Sequence, residues 1–250
     1  MSRSSHSTSW PWWGVLFVTA LASCAPAQPV ADGASDAASR PGAASQPSTT
    51  TPRKADADGR YAVLPTVQGH QDVAIFAGGC FWCMEKDFEK LDGVDAVISG
   101  YIGGHVDRPS YQQVSSRTSG HAEAVWVLFQ PAKVSYDALL TYFWHHIDPT
   151  TADRQFCDVG DEYRPEIFTR NDAQKKAALA SKALISKTKP FSAPIVVKVT
   201  PATTFFTAET HHQDFYKKRP AHYQRYRTGC GRDARVKQLW GDAAKSHAKP

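Results

Sequence analysis

The chain has 250 residues, of which 42% are hydrophobic and 21% charged, and its formal net charge is +5 at pH 7. The stretch from Tyr61 to Pro250 is long enough to bury one well-packed core, which excludes a small fold that depends on disulfide staples. The basic excess lies late in the chain, but its Lys and Arg residues are scattered among Tyr, Gln and His. This pattern predicts a solvated basic face and argues against a nucleic-acid patch.

The N-terminus carries an uncharged stretch, residues 12–24, after a single basic residue. This stretch is too short to span a bilayer comfortably but suits the hydrophobic region of a signal peptide. It ends in Leu21-Ala22-Ser23-Cys24, which resembles the lipobox of bacterial lipoproteins. We therefore predict a lipoprotein-type signal peptide over residues 1–24, a lipid anchor on Cys24 and export to the bacterial periplasm. The alternatives are ordinary secretory cleavage after Ala25 or Ala27 and an uncleaved membrane anchor.

Residues 25–60 consist mainly of Ala, Ser, Pro, Thr and Gly. Such a composition cannot bury enough apolar surface to offset its ordering entropy, so we expect a disordered linker. The folded, catalytic domain is then predicted to span residues 61–250.

The first predicted elements of this domain meet at a cysteine. The strand-like run Val73–Phe76 leads through two glycines into Cys80, and the helical pattern Met84–Leu91 follows. A thiol at a strand-to-helix junction faces unpaired backbone N–H groups and the positive end of the helix dipole, which favour the thiolate. The arrangement predicts a nucleophilic or redox cysteine. The alternative is a buried structural cysteine that packs as a small hydrophobic residue.

The remaining predicted elements alternate between strands and helices along the chain. Strands are expected at Val94–Tyr101, Ala122–Phe129 and Ile195–Val199, and helices at Tyr136–His146 behind the N-cap Ser135, at Asn171–Lys187 and at Ala208–Lys217. This order predicts a single α+β two-layer domain, in which helices pack on a mixed or antiparallel sheet with a ferredoxin-like core and a βαβ unit at its start. The tail, residues 219–250, lacks periodicity and is expected to be long and irregular, apart from a short helix at Arg235–Trp240.

The predicted domain contains four cysteines: Cys80, Cys83, Cys157 and Cys230. The CxxC spacing of the first two supports dithiol exchange, half of a zinc site, or a nucleophile with a resolving partner. The chain has no second CxxC and no HExxH, and adjacent histidines on a helix point about 100° apart, so each His-His pair offers at most one ligand. We therefore expect no metal.

Glu123 is unusual because its carboxylate lies within an otherwise apolar strand. Burial penalises the ionised form, so its pKa should rise until it can donate a proton near neutral pH. The alternative is a salt-bridged carboxylate. Asp158 and Tyr163 lie in a polar, Gly-containing loop where side chains can converge on a site. The alternative for that loop is a solvated turn with a helix cap.

Six short motifs follow one another along this body: Gly79-Cys80-Phe81-Trp82, Gly100-Tyr101-Ile102-Gly103-Gly104, Pro109-Ser110-Tyr111, Gly120-His121-Ala122-Glu123-Ala124-Val125, His146-Ile147-Asp148-Pro149-Thr150 and Tyr163-Arg164. In this order and spacing they resemble the A-type peptide methionine sulfoxide reductases. The resemblance covers about Asp72 to Trp240, which is nearly the whole predicted domain.

The resemblance implies a role for each residue of a site that reduces methionine S-sulfoxide, free or in peptides, and so repairs oxidised proteins. Cys80 would attack the sulfoxide sulfur, and Glu123 would protonate its oxygen. The other implied members are Tyr111 and Tyr163, which bond that oxygen, Asp158, which organises the site, and Phe81 and Trp82, which receive the S-methyl group. No bound cofactor is implied. Attack leaves a sulfenic acid on Cys80, which a second thiol must resolve.

The chain departs from the best-known relatives in its other cysteines. Cys83 replaces the residue, often Gly, that follows the tryptophan, and the tail reads Gly229-Cys230-Gly231-Arg232-Asp233 instead of a Tyr-Cys-Gly pattern. We expect Cys230 to resolve the sulfenic acid first, with Cys83 as relay or alternative, while Cys157 stays a third option.

The expected partners are oxidised proteins and peptides, free methionine sulfoxide, a thioredoxin-like electron donor and, through Cys24, a membrane. We expect a monomer that binds no nucleic acid. Two other functions stay open on the residues alone. A thioredoxin-like disulfide oxidoreductase could use Cys80 and Cys83, but it would have no need of a proton donor at Glu123. A non-catalytic lipoprotein could retain the fold for binding.

Overall fold

The computed structural model of the chain describes residues 59–244. The predicted signal peptide, the anchor Cys24 and all but the last two residues of the predicted linker lie outside the described residues. Within the described part, no helix combines the length and the apolar composition needed to cross a membrane.

Between residues 59 and 244 the structure has eight strands, which form a six-stranded sheet and a separate two-stranded ribbon. In chain order they are β1 (Asp72–Ala77), β2 (Val94–Ile102), β3 (Ala122–Phe129), β4 (Arg154–Gln155), β5 (Asp158–Val159), β6 (Glu166–Thr169), β7 (Lys198–Pro201) and β8 (Phe206–Thr207).

The same range has seven α-helices: α1 (Phe81–Phe88), α2 (Tyr111–Ser115), α3 (Tyr136–Trp144), α4 (Asp172–Thr188), α5 (Phe215–Lys218), α6 (Pro220–Gly229) and α7 (Arg232–Trp240). Two 3₁₀ helices complete it, at Asp161–Tyr163 and Gly241–Ala244. Ser135 caps α3 as predicted, because its side chain accepts a hydrogen bond from the backbone N–H of Ala138.

The large sheet has the order β7-β6-β1-β3-β2-β8. Its pairs are antiparallel except β6 with β7. The unit β1-α1-β2 is a split βαβ, because β3 lies between its two parallel strands. Strand β6 lies on the other side of β1, and α3 connects β3 to β6 along the chain. The four strands β6, β1, β3 and β2 therefore form the ferredoxin-like core. The predicted α+β class is confirmed.

Strand β3 runs through the middle of this core, and all eight of its residues are buried. Alternate side chains of a strand point to opposite faces. Trp126 and Leu128 therefore join the cluster on one face, whereas Val125 and Val127 join the larger cluster that the helices cover. The same alternation sends the side chain of Glu123 to the helical face, where α1 begins.

The C-terminal part differs most from the prediction. The tail expected to be irregular forms two helices, α6 and α7, instead of one short helix. Pro220 is the first residue of α6, a position that proline favours because its missing N–H is not needed there.

The helix before α6 was also predicted too long. Of the span 208–217, only residues 215–217 are α-helical, in the short helix Phe215–Lys218. Asp214, directly before this helix, adopts a left-handed conformation with φ of +54°, which an α-helix cannot include. The strand predicted at Ile195–Val199 begins three residues later, at Lys198, where it pairs with β6.

Buried charges join the two C-terminal helices to α1. Asp87 of α1 lies 3.0 Å from Arg227 of α6 and 3.9 Å from Arg232 of α7. Burial alone would raise the pKa of Asp87, but the two guanidinium groups hold it at about 2. Since an unpaired buried charge is very costly, these contacts keep α6 and α7 against the helix that follows Cys80.

Candidate active site

Cys80 lies at the start of α1, directly after the glycine turn that ends β1. Gly79 has a φ of +84°, and a Cβ there would come within 2.5 Å of the Gln155 side chain. Only glycine therefore fits this turn without a local shift. The Cys80 carbonyl accepts hydrogen bonds from the backbone N–H groups of Cys83 and Met84, at 3.1 and 3.3 Å. The turn thus places the Cys80 thiol at the N-cap of the helix, where it is only 6% exposed.

Glu123 reaches this point from β3. Its Oε2 accepts a 3.0 Å hydrogen bond from the backbone N–H of Phe81, the residue after Cys80. Burial, aided by the nearby carboxylates of Asp158 and Glu162, raises the pKa of Glu123 to about 8. The raised pKa predicted from the sequence is confirmed. Glu123 is therefore a neutral acid at neutral pH and can donate a proton.

The thiol itself is harder to ionise than the sequence suggested. Burial, the neighbouring Cys83 and the charge of Glu123 raise the pKa of Cys80 well above its usual value. The prediction that the helix start favours a thiolate on Cys80 was therefore wrong. The reason is that burial outweighs it, and the Phe81 N–H that was to favour a thiolate is bonded to Glu123.

Cys83 has the opposite tendency. A hydrogen bond from Cys80 lowers its pKa, and although burial opposes this, the positive charges of Arg232 and Arg227 bring the value to about 7. The two thiols therefore form a hydrogen-bonded pair that loses one proton near neutral pH. The negative charge can move to Cys80 when Cys80 gives its proton to Cys83.

Two tyrosine hydroxyls lie near Glu123 and Cys80. Tyr111 opens α2, where the Ser110 capping box fixes the chain and Glu209 accepts the Tyr111 N–H at 2.9 Å. Tyr163 ends the first 3₁₀ helix. Burial and the charge of Glu123 raise the pKa of Tyr111 to about 12, and the same two causes raise the pKa of Tyr163 further. Both phenols stay protonated and can donate hydrogen bonds beside Glu123.

Asp158 is connected to Cys80 through Tyr226, a residue that the sequence did not indicate. The hydroxyl of Tyr226, on α6, donates a hydrogen bond to Asp158 and is also hydrogen-bonded to the Cys80 thiol. Burial raises the pKa of Asp158. No motif marked Tyr226, because α6 was predicted to be irregular chain.

The aromatic residues after Cys80 occupy different positions. Phe81 is 1% exposed, and its ring lies 5.8 Å from that of Tyr101. Trp82 is half-buried, stacks on Phe215 at 3.7 Å and donates its indole N–H to His212 at 3.2 Å. His212 belongs to one of the two His-His pairs, each of which offers at most one metal ligand by its spacing. In the structure it fixes the orientation of Trp82.

The four cysteines form two pairs. Cys80 and Cys83 are free and buried, whereas Cys157 and Cys230 are joined by a disulfide. Cys230, the favoured resolving residue, is therefore bonded to Cys157 in this structure, and Cys83 is the thiol in contact with Cys80. The pairing of Cys157 with Cys230 had no signal in the sequence, since 73 residues separate them.

Two groups of described residues have donor atoms close enough for a metal ion, and neither includes Cys80. One contains the disulfide sulfurs beside Asp158. The other joins Glu85, Glu89 and Asp214, but Lys217 already lies 2.7 Å from both Glu89 and Asp214.

A hydrogen-bonded thiol pair that faces a neutral carboxylic acid and two phenols can reduce a group whose oxygen must be protonated as it departs. Disulfide exchange alone would not require the acid. Fold and site together thus define an α+β thiol oxidoreductase that acts on an oxygen-bearing group.

Comparison with known proteins identifies the family. The family model "Peptide methionine sulfoxide reductase" matches residues 72–244. The chain is 50% identical over 171 residues to the peptide methionine sulfoxide reductase MsrA of Bacillus subtilis, covering 68% of this chain and 97% of the relative. It is 48% identical over 167 residues to the MsrA of Listeria monocytogenes, covering 67% and 94%. The chain belongs to the peptide methionine sulfoxide reductase family.

Solved structures agree with this assignment. The fold is similar to that of reduced Mxr1 from Saccharomyces cerevisiae, with a TM-score of 0.59, 26% identity and coverage of 62% of this chain and 90% of that one. It is also similar to methionine sulfoxide reductase A of Corynebacterium diphtheriae, with a TM-score of 0.55, 25% identity and coverage of 61% and 77%. The protein is thus an A-type enzyme that reduces methionine sulfoxide with thiols.

The buried Glu123 should make stability depend on pH. Its folded pKa of about 8 lies above the usual 4.5, so the folded chain holds a proton that the unfolded chain has released. The resulting stabilisation is complete below about pH 4.5 and is lost as the pH rises through 8. We expect urea midpoints of the native protein to fall relative to those of Glu123→Gln between pH 5 and 9. Parallel curves for the two proteins would contradict a neutral Glu123.

Proposed function

We propose that Cys80 attacks the sulfur of methionine S-sulfoxide, free or in peptides, while Glu123 protonates the sulfoxide oxygen. The observation that carries this proposal is the neutral Glu123 carboxyl held against the Phe81 N–H, directly beside the Cys80 thiol. Hydroxide is a poor leaving group, so the oxygen must receive a proton as the S–O bond weakens. A neutral acid in a dry site meets this need.

The remaining residues bind and orient the sulfoxide. Tyr111 and Tyr163 stay protonated and donate hydrogen bonds to its oxygen, which polarises the S–O bond. Trp82 and Phe81, whose rings both contact His212, form the apolar wall that receives the S-methyl group. Asp158 acts through Tyr226, whose hydroxyl contacts both Asp158 and Cys80.

The protonated oxygen then passes from the methionine sulfur to Sγ of Cys80, which breaks both the S–O bond and the bond between the two sulfurs. The first product is methionine, and Cys80 is left as a sulfenic acid. Cys83 then condenses with it, so that water departs and a Cys80–Cys83 disulfide forms. Two observations favour Cys83 over Cys230 for this step. The Cys83 thiol is hydrogen-bonded to Cys80, and its pKa of about 7 supplies a thiolate at neutral pH, whereas Cys230 is held by Cys157. An external dithiol of the thioredoxin type returns the enzyme to its reduced form.

The reaction is tested by turnover on separated sulfoxide epimers with a dithiol donor. We expect the native protein to reduce only the S epimer and Cys80→Ser to have no activity. Glu123→Gln keeps the shape but cannot donate the proton, so its single-turnover rate should fall by about 10²–10⁴-fold. As a matched control, Glu89→Gln on the same helix as Cys80 should keep the native rate. A Cys80→Ser protein that still released methionine would refute the proposal.

The role of Cys83 has a separate readout. Cys83→Ser, prepared with the Cys157–Cys230 disulfide intact, should release one methionine per chain and then stop with a sulfenic acid on Cys80. Dimedone labelling followed by mass spectrometry detects that acid. The native protein should take up little label, because Cys83 consumes the sulfenic acid. Equal and low labelling in both proteins would contradict this role of Cys83.

We further propose that the protein is exported and anchored through Cys24, outside the described residues. The support is the apolar stretch that ends in Leu21-Ala22-Ser23-Cys24, followed by a linker that cannot form a core. Because the periplasm is oxidising, an enzyme located there needs reducing equivalents that are passed across the membrane.

Lipidation can be measured directly. Cells that express the full chain should incorporate radioactive fatty acid into the native protein and not into Cys24→Ala. The Cys157→Ala variant serves as control, since its change lies in the folded domain and should leave the label unchanged. Label in Cys24→Ala would contradict the proposed anchor.

A further inference from the structure

The two tyrosines near Glu123 come from separate segments of the chain. Tyr111 is the first residue of α2, and Tyr163 is the last residue of the first 3₁₀ helix. Neither segment belongs to the six-stranded sheet, which holds Glu123 through β3. Both hydroxyls must nevertheless reach the same sulfoxide oxygen. The spacing between the two segments therefore has to be set by contacts outside the sheet.

Arg117 makes the contacts between these two segments. It lies two residues after the end of α2, and its Nη2 donates a hydrogen bond to the carbonyl oxygen of Val159. Its Nε lies 3.3 Å from a carboxylate oxygen of Glu162, within the 3₁₀ helix. Among the described residues, Arg117 forms all the hydrogen bonds and ion pairs that join residues 111–117 to residues 159–163.

The Glu162 carboxylate depends on Arg117 because it is buried. The Glu162 side chain is only 4% exposed, and burial raises its pKa while the charge of Arg117 opposes that rise. Without this cation the carboxylate would have to take up a proton or turn outward to reach water. Glu162 directly precedes Tyr163, so an outward turn would displace the tyrosine as well.

The backbone on both sides of this ion pair is adapted to it. Gly160 has a φ of +147°, and a Cβ there would collide with the Glu162 carboxylate and with Nε of Arg117. Arg117 itself has a φ of +61°, a left-handed conformation that residues with a long side chain rarely adopt. Such a conformation persists only where surrounding contacts hold it. Glycine would fit this position without strain, so what arginine adds here is its guanidinium group.

We propose that Arg117 and Glu162 are a positioning pair, which sets the spacing of Tyr111 and Tyr163 so that both hydroxyls bond one sulfoxide oxygen. This inference deepens the function proposed above and rests on it. The pair touches no atom of the substrate. It holds two hydrogen-bond donors in place before the substrate binds, which is the condition under which fixed donors stabilise charge that develops on an oxygen.

Replacement of Arg117 by glycine separates this role from folding. Arg117→Gly removes both contacts but suits the left-handed backbone, so urea unfolding should still show a cooperatively folded protein. Misplaced hydroxyls should lower kcat/KM for a methionine S-sulfoxide peptide by about 10–10²-fold. Arg108 provides a matched control, because it is also left-handed, with a φ of +49°, and its ion pair is with the adjacent Asp107. Arg108→Gly should keep the native rate.

A double-mutant cycle distinguishes positioning of the hydroxyls from any other effect of Arg117. In a protein that carries Tyr111→Phe and Tyr163→Phe, Arg117→Gly should reduce the single-turnover rate little further, since no hydroxyl is left to place. The same fold-loss in both backgrounds would overturn the positioning pair, as would equal native rates for Arg117→Gly and Arg108→Gly. Absence of turnover in the native protein would instead overturn the function proposed above, and the pair with it.

Binding supplies a second readout, which does not require turnover. In Cys80→Ser protein, Arg117→Gly should weaken the binding of a peptide that contains methionine S-sulfoxide and leave the binding of the same peptide with methionine unchanged. The reason is that only the sulfoxide has the oxygen that the two hydroxyls contact. Glu162→Gln keeps the bond from Arg117 to Val159, so it should show the same selectivity with a smaller change. Equal weakening of both peptides would overturn the proposal.

Discussion

The hydrogen bond from the Phe81 N–H to Glu123 is the contact on which the site depends. It joins strand β3 of the sheet to the first turn of α1, so the proton donor and the thiol are held by two buried elements of the core. Burial keeps Glu123 neutral, and a neutral carboxyl is compatible with an apolar strand because no charge has to be desolvated. The bond also occupies the N–H that would otherwise stabilise a Cys80 thiolate. The same contact thus positions Glu123 as a proton donor and makes the Cys80 thiol harder to deprotonate.

Ionisation of the thiol pair is instead supported from the C-terminus. Arg227 and Arg232 come from α6 and α7, and the buried carboxylate of Asp87 holds both. Their charges act on Cys83, which shares a hydrogen bond with Cys80. The last two helices therefore do more than cover the core. They carry the positive charge that lets a buried dithiol lose a proton near neutral pH, and they bring Tyr226 to Cys80.

Two requirements conflict at such a site. Reduction of a sulfoxide needs a dry environment, whereas regeneration needs contact with another molecule that supplies thiols. The chain meets the first with a buried pair of cysteines and has a second pair at its surface, with Asp158 and Tyr226 between them.

Local features could be predicted from the residues alone. Periodicity located β1, β2, β3, α3 and α4, and the carboxylate within an apolar strand identified Glu123, because burial of an isolated charge is costly wherever the strand packs. The six motifs between Gly79 and Arg164 were enough to indicate the family. The tertiary structure decided what depends on distant segments. The pairing of Cys157 with Cys230, the contact of Tyr226 with Cys80 and the effect of Arg227 on Cys83 each join residues far apart in the chain, and no local pattern encodes such distances. For the same reason the pKa of Cys80 was misjudged, since the helix start can be read from the sequence but the depth of burial that outweighs it exists only in the folded protein.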